Sequence, residues 1–486
     1  MLKDILWKSS GIEYTDAIIV RDADSLWQLS GASDIAASYS FACHMASDSI
    51  ELRYLYEKNI RIDHEKCIIL YSDSFMPFDI ENSMTVFDAS FEKAFDKLDA
   101  DTLRSFRNIN LDLLSIAYKD VFYTLGRDDT EDFCCGTIWK TEYLDTLTKE
   151  YRAECDALLQ NEATQKTWLR IADHLGFILM ASRMGAGVDG FEGWYAAITT
   201  KFGDWMKTDY RKLSGTPTKQ QPYLLSSVND FIRRNNDGKV ALVVLDGMSF
   251  ADYHQIQRDL ARSNFTLQTT GAYSFVPSIT SIARQSLFSG KLPIEHPKPF
   301  DLTNEEKQFR SFWMENGYKD SEIFFAKSEG PEWPRNTKVA GIVINIVDDL
   351  MHSELQGEKG MFTGLGTWLE SGNLSVLINH LLQDGFTVYI TADHGNTSAI
   401  AQGRFSKPTI ITENASRRAV IYQSFAGAEE LDKFSVIEYT GQYVPKDYRY
   451  FAFEAHSCYG DKGTEYISHG GMTIEEMIIP FVRIGV

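Results

Sequence analysis

The 486-residue chain, 44% hydrophobic and 24% charged, can bury more than one core, so two or three domains are expected. Its net charge of -20 argues against a basic groove that grips nucleic acid without sequence preference, because phosphate neutralisation needs clustered Lys and Arg. A short phosphorylated ligand held through metal ions stays compatible with that charge.

The N-terminal MLKDILWKSSGIEYTD has no apolar stretch of signal-peptide length, and no later run approaches a membrane helix. A soluble cytoplasmic protein with no membrane partner is therefore expected. The six cysteines, Cys43, Cys67, Cys134, Cys135, Cys155 and Cys458, are scattered, and their only close pair is adjacent. That pattern suits neither a zinc knuckle nor a disulfide framework, so they read as small buried apolar residues or idle thiols.

Strand character begins at Asp16-Ala-Ile-Ile-Val20, is followed by the acidic turn Arg21-Asp-Ala-Asp24, and returns at Cys67-Ile-Ile-Leu-Tyr71. Helix-like segments such as Leu52 to Lys58 between such strands predict a small N-terminal α/β domain over residues 1–135. Asp22 and Asp24 then fall at the C-terminal end of a strand, where open α/β sheets place ligands, although turns favour Asp for local reasons alone. Residues 136–236 read as a helical connector, with long helical periods from Glu142 to Leu159 and from Thr164 to Met184. Its Trp168, Phe177, Trp194 and Trp205 are expected to pack helices together. The polar run Arg233 to Lys239 precedes a third domain, over residues 237–486.

That domain opens on Val240-Ala-Leu-Val-Val-Leu245, an aliphatic run that predicts a central parallel strand and sets Asp246-Gly247 at its C-terminal edge. In Val276-Pro-Ser-Ile-Thr280, the Pro-Ser turn predicts a helix that Gly290 closes, with Thr280 in its first turn. Free N–H groups and the helix dipole favour an anion there, and a neighbouring metal ion would activate the hydroxyl for attack on phosphorus. Taken alone, Thr280 reads as a helix cap. Arg284 follows at i+4 and could clamp a phosphoryl oxygen.

A third strand, Ile342 to Val347, leads into Asp348 and His352, with Asp349 as the competitor of Asp348; a fourth, Thr387 to Thr391, leads into Asp393-His394-Gly395. His469 precedes Thr473-Ile-Glu-Glu-Met-Ile-Ile-Pro480, whose apolar run suggests another strand. An isolated His is more often a hydrogen-bonded structural residue. Three Asp and three His near one sheet edge instead supply mixed nitrogen and oxygen ligands for two divalent ions.

The order Asp-Gly, Thr at a Pro-containing helix start, Asp-x-x-x-His, Asp-His-Gly and a late His resembles the alkaline phosphatase superfamily. The finer wording, VPSITSIARQSLFSGKLP and HGGMTIEEMIIPF, resembles the PglZ branch, found in bacterial phage-exclusion (BREX) systems and in some response regulators. This resemblance covers about half the chain. It implies an alkaline-phosphatase-like, mostly parallel sheet sandwiched by helices, with zinc as the usual metal and sometimes manganese. It further implies that Asp246, Thr280, Asp393 and His394 form one metal site, and Asp348, His352 and His469 the other. The Thr280-to-Arg284 spacing is similar to that of sulfatases, but Thr280 cannot become their formylglycine.

The expected function is a metal-dependent phosphodiesterase or phosphatase in which Thr280 forms a phosphothreonine that water then hydrolyses. The nucleic-acid connection of the PglZ branch makes nucleotides or oligonucleotides the expected substrates and other phage-defence proteins the expected partners. Two alternatives fit the same motifs: a phosphomutase, and a non-catalytic scaffold subunit of a phage-exclusion complex.

Overall fold

The computed structural model describes residues 2–73, 75–187, 189–219, 221–353, 357–405, 416–423 and 429–485. The chain divides into two compact units, residues 1–147 with 261–264, and residues 148–260 with 265–486.

The first unit is built on four parallel strands: β1 (Ala17–Arg21), β2 (Ala42–Ala46), β3 (Cys67–Tyr71) and β4 (Thr85–Asp88), in the order β2-β3-β1-β4. β3 is buried along its whole length, which is why it carries an unbroken apolar run. Asp22 and Asp24 have structural partners. Asp22 accepts the N–H groups of Trp27 and Gln28 at 2.9 and 3.1 Å, and Asp24 pairs with Arg104 at 2.8 Å.

The second unit contains the helices Gln165–Arg183 and Phe191–Thr208 together with a six-stranded sheet. Thr164 caps the first helix by accepting the Thr167 N–H. The aromatic residues of this stretch interlock, with Trp168 packed edge-on to Phe202 and 6.4 Å from Trp205. The sheet strands are β5 (Lys239–Leu245), β6 (Thr266–Tyr273), β7 (Ile323–Lys327), β8 (Val339–Ile344), β9 (Phe386–Thr391) and the C-terminal strand Ile478–Gly485. Their order is β6, C-terminal strand, β9, β5, β8, β7. β7, β8, β5 and β9 run parallel, and the C-terminal strand lies antiparallel between β9 and β6. The chain is thus mixed α/β, with a mostly parallel central sheet flanked by helices.

Three local boundaries differ from the sequence reading. β8 ends at Ile344, and Ile346–Ser353 is a helix, so the aliphatic run around residue 345 is shared by two elements. In Thr473 to Pro480, Thr473 and Glu476 form a capping box for the short helix Ile474–Met477, and the strand starts at Ile478. Leu52 to Lys58 belongs to a helix, Ser49–Leu55, that continues as a π-helical turn, Tyr56–Ile62.

Candidate metal and phosphoester site

The sequence-predicted residues collect at the C-terminal edge of the parallel sheet. β5 is buried from Val240 to Leu245, each large aliphatic side chain contributing about 1.5–3 kcal/mol on burial, so Asp246 leaves a firmly held strand. Gly247 then turns with φ 77°; a side chain there would meet the Met351 Cε at 3.2 Å and the His394 Cε1 at 3.7 Å. Asp393 and His394 follow β9 within two and three residues of its end. The helix Thr280–Ser289 starts after Ile279, placing Thr280 at its first position and Arg284 one turn later.

Two groups of donors result. One atom each from Asp246, Asp393 and His394 lies within 4.8 Å of the others, and so does one each from Asp348, His352 and His469. The first group is fully buried, while His352 in the second is exposed. The His394 and His469 rings stack 4.0 Å apart between them, at an interplanar angle of 9°. Thr280 Oγ1 lies 3.0 Å from His394 Nε2.

Backbone carbonyls fix both imidazoles. His394 Nδ1 donates to the Gly395 carbonyl at 3.0 Å, and His469 Nδ1 donates to the Ser278 carbonyl at 2.9 Å. Each Nε2 is thereby the ring nitrogen left facing the site, away from that contact. The turn bearing His469 is held in turn: Ser278 Oγ accepts the Gly470 N–H at 3.0 Å, and Glu476 accepts the Gly471 N–H at 2.7 Å while pairing with the buried Arg418 at 2.9 Å.

The electrostatics are those of a crowded buried anion pair. Burial raises Asp246, and the neighbouring Asp393 charge raises it further. Burial acts against Asp393 as well, but His394 and Arg284 outweigh it and hold Asp393 at about 2. Burial and the charge of His394 hold His469 neutral, down to about 3. Asp348 is also lowered, because its bond to His352 and the nearby imidazoles outweigh its burial.

The Arg284 guanidinium is buried against these carboxylates, bonded to Asp246 Oδ2 and 3.3 Å from Asp393 Oδ2. Its third partner, Glu305 at 3.6 Å, is buried and also pairs with Lys327. Nothing in the sequence marks Glu305, which sits in an ordinary polar helix start. Arg183 and Asp252, both buried, are joined at 3.0 Å, and Asp252 accepts from Asn396, whose amide also meets the Gly247 carbonyl at 2.8 Å. Asn396 and Asp252 thus tie the Asp246 turn to the Asp393 turn.

The residues fit divalent ions on their own chemistry. Among the described residues, the buried Asp246 Oδ1 and His469 Nε2 have no hydrogen-bond partner, one such atom in each donor group. Carboxylates with imidazoles are the ligands of borderline ions such as zinc.

Such a sheet, with this site at its edge, defines an alkaline-phosphatase-like phosphoester hydrolase. Residues 224–484 match the model of the BREX system PglZ alkaline phosphatase-like domain, more than half of the chain, and the chain belongs to the PglZ family. No curated protein matches the sequence. Among solved structures, the chain is similar to murine ectonucleotide pyrophosphatase/phosphodiesterase 5 in complex with AMP, at 10% identity over 51% of this chain and 88% of that chain, with a TM-score of 0.36. It is similar to the human ectonucleotide pyrophosphatase/phosphodiesterase 5 at 12% identity over 50% and 87%, with a TM-score of 0.33. It is also similar to phosphonoacetate hydrolase from Sinorhizobium meliloti 1021 in complex with phosphonoformate, at 13% identity over 51% and 90%, with a TM-score of 0.34.

Proposed function

We propose that the second unit is a phosphodiesterase or phosphatase that uses Thr280 as its nucleophile and two divalent ions, zinc or manganese, on nucleotide or oligonucleotide phosphoesters. The observation that carries this reading is the 3.0 Å approach of Thr280 Oγ1 to His394 Nε2, beside two separate donor groups. Asp246, Thr280, Asp393 and His394 would hold one ion, and Asp348, His352 and His469 the other. Bound ions would offset the phosphoryl charge and favour the deprotonated form of the attacking hydroxyl.

Oγ1 of Thr280 releases its proton to solvent and attacks phosphorus as the bond to the leaving oxygen breaks, and that oxygen departs with the electron pair and takes a proton from solvent in turn. Water then attacks the phosphothreonine, the bond from phosphorus to Oγ1 breaks, and the hydroxyl is restored. The free N–H groups of the first helical turn, where Thr280 sits, favour the anionic phosphoryl group. We assign Arg284 to a phosphoryl oxygen, since a guanidinium recognises phosphate in a planar, two-donor geometry. The family's BREX description supports phage exclusion as the setting, with other defence proteins as partners and the cytoplasm as the compartment.

The test is Thr280→Ala. That variant keeps its bound metal and loses hydrolysis of an activated phosphodiester; full activity in it would sink the mechanism.

A further inference from the structure

The first unit holds a group of side chains that the phosphoester site does not use. β2 and β3 pair in parallel, with Ala42 opposite Cys67 and His44 opposite Ile69, so His44 and Cys67 project from the same face of the sheet. Cys43 projects from the other face. The chain reaches β3 from the π-helical turn Tyr56–Ile62, a rare geometry that recurs at functional positions. Within that turn Asn59 is buried, and its backbone carbonyl accepts the Glu65 N–H at 2.8 Å, which ties Glu65 to the same place. One donor atom from each of His44, Glu65 and Cys67 lies within 4.8 Å of the other two.

The polar contacts here cannot all be satisfied by hydrogens. His44 Nε2 is 2.7 Å from Glu65 Oε2 and 3.1 Å from Asn59 Nδ2, and Nδ2 also meets Oε2. If Nε2 carries a hydrogen, it serves Glu65 but opposes the amide hydrogens of Asn59. If it carries a lone pair, it serves Asn59 but opposes the Glu65 oxygen. Meanwhile Asn59 Oδ1 is buried and has no hydrogen-bond partner among the described residues. Turning the amide by 180° exchanges Nδ2 for Oδ1 and aims that orphaned oxygen at the other donors. Nitrogen, sulfur and two oxygens then converge with their lone pairs, an arrangement that a cation satisfies.

We propose that His44, Glu65, Cys67 and Asn59 form a cation site, separate from the phosphoester site, that takes zinc or a similar borderline divalent ion. Thiolate, imidazole and oxygen together favour such an ion over magnesium or calcium. On binding, the bond from the metal to Cys67 Sγ forms as the thiol proton passes to solvent, and thiolate and carboxylate together offset the double charge. The ion joins β2, β3 and the π-helical turn.

Cobalt(II) tests this in the full chain. A thiolate ligand gives an intense near-ultraviolet charge-transfer absorption, whereas the donor groups of the phosphoester site contain only nitrogen and oxygen. The absorption is expected in the wild-type protein and in Cys43→Ser, and is lost in Cys67→Ser. His44→Ala weakens apparent cobalt affinity at this band by about tenfold or more. If Cys67→Ser does not fold, His44→Ala and Glu65→Gln carry the comparison. No charge-transfer absorption in cobalt-saturated wild-type protein overturns the site. So does absorption that Cys67→Ser retains, that Cys43→Ser removes, or whose cobalt dependence neither His44→Ala nor Glu65→Gln changes.

Discussion

Thr280 Oγ1 and His394 Nε2 stand 3.0 Å apart although 114 residues separate them in the chain, and the Gly395 carbonyl fixes which His394 nitrogen faces the hydroxyl. The hydroxyl is therefore positioned by packing. Thr280→Ala is expected to lower phosphodiester hydrolysis by at least about 10³-fold with little change in melting temperature, whereas Thr280→Ser keeps a measurable fraction. Steady-state kinetics on an activated phosphodiester, paired with metal analysis, check both.

The two donor groups make different predictions for metal loss. His469→Ala removes the imidazole whose Nε2 has no hydrogen-bond partner among the described residues and, on the proposed assignment, is expected to lower bound metal by one ion per chain, with Asp246, Asp393 and His394 keeping theirs. Exhaustive chelation abolishes activity, and zinc or manganese restores it in the wild-type chain but not in His469→Ala. Elemental analysis of each variant reads the stoichiometry, and an unchanged metal content in His469→Ala contradicts the assignment.

The fold class was legible because its strands are written as runs of aliphatic, β-branched and aromatic residues: Val240 to Leu245 and Thr387 to Thr391 match β5 and β9 within a residue. The same signal misled at Ile342 to Val347, where apolar residues continue from a strand into an amphipathic helix and hydrophobicity alone does not mark the change. Asp348 and His352 consequently share a helix face at i and i+4 rather than a strand end. Glu305 was invisible because its meaning lies in a tertiary contact with Arg284, and the His44, Glu65 and Cys67 group because strand register, not spacing, assembles it.

Gly395 follows His394 and packs against the chain just before the C-terminal strand. A side chain added there would stand 1.8 Å from the Glu475 carbonyl oxygen and 3.2 Å from the Ser249 Cα, both backbone atoms that cannot swing away. Gly395→Ala is expected to destabilise the second unit by roughly 3 kcal/mol and to lower activity by displacing His394. Thermal melting measures the first effect and turnover the second.

Glu475 gives the pH dependence its sign. Burial pushes its carboxyl from 4.5 up to about 8, so the folded chain binds this proton more tightly than the unfolded chain does. Its contribution is complete below pH 4.5 and is lost as pH rises towards 8. The neighbouring His456, which burial lowers from 6.5 to about 4, is neutral in both states above 6.5 and adds no slope there. Glu475→Gln, which mimics the protonated carboxyl, is therefore expected to melt close to wild type near pH 5. By pH 8 it should be more stable by on the order of a few kcal/mol. Denaturant unfolding of both chains across that interval reads the difference, and a gap that stays constant with pH rejects the assignment.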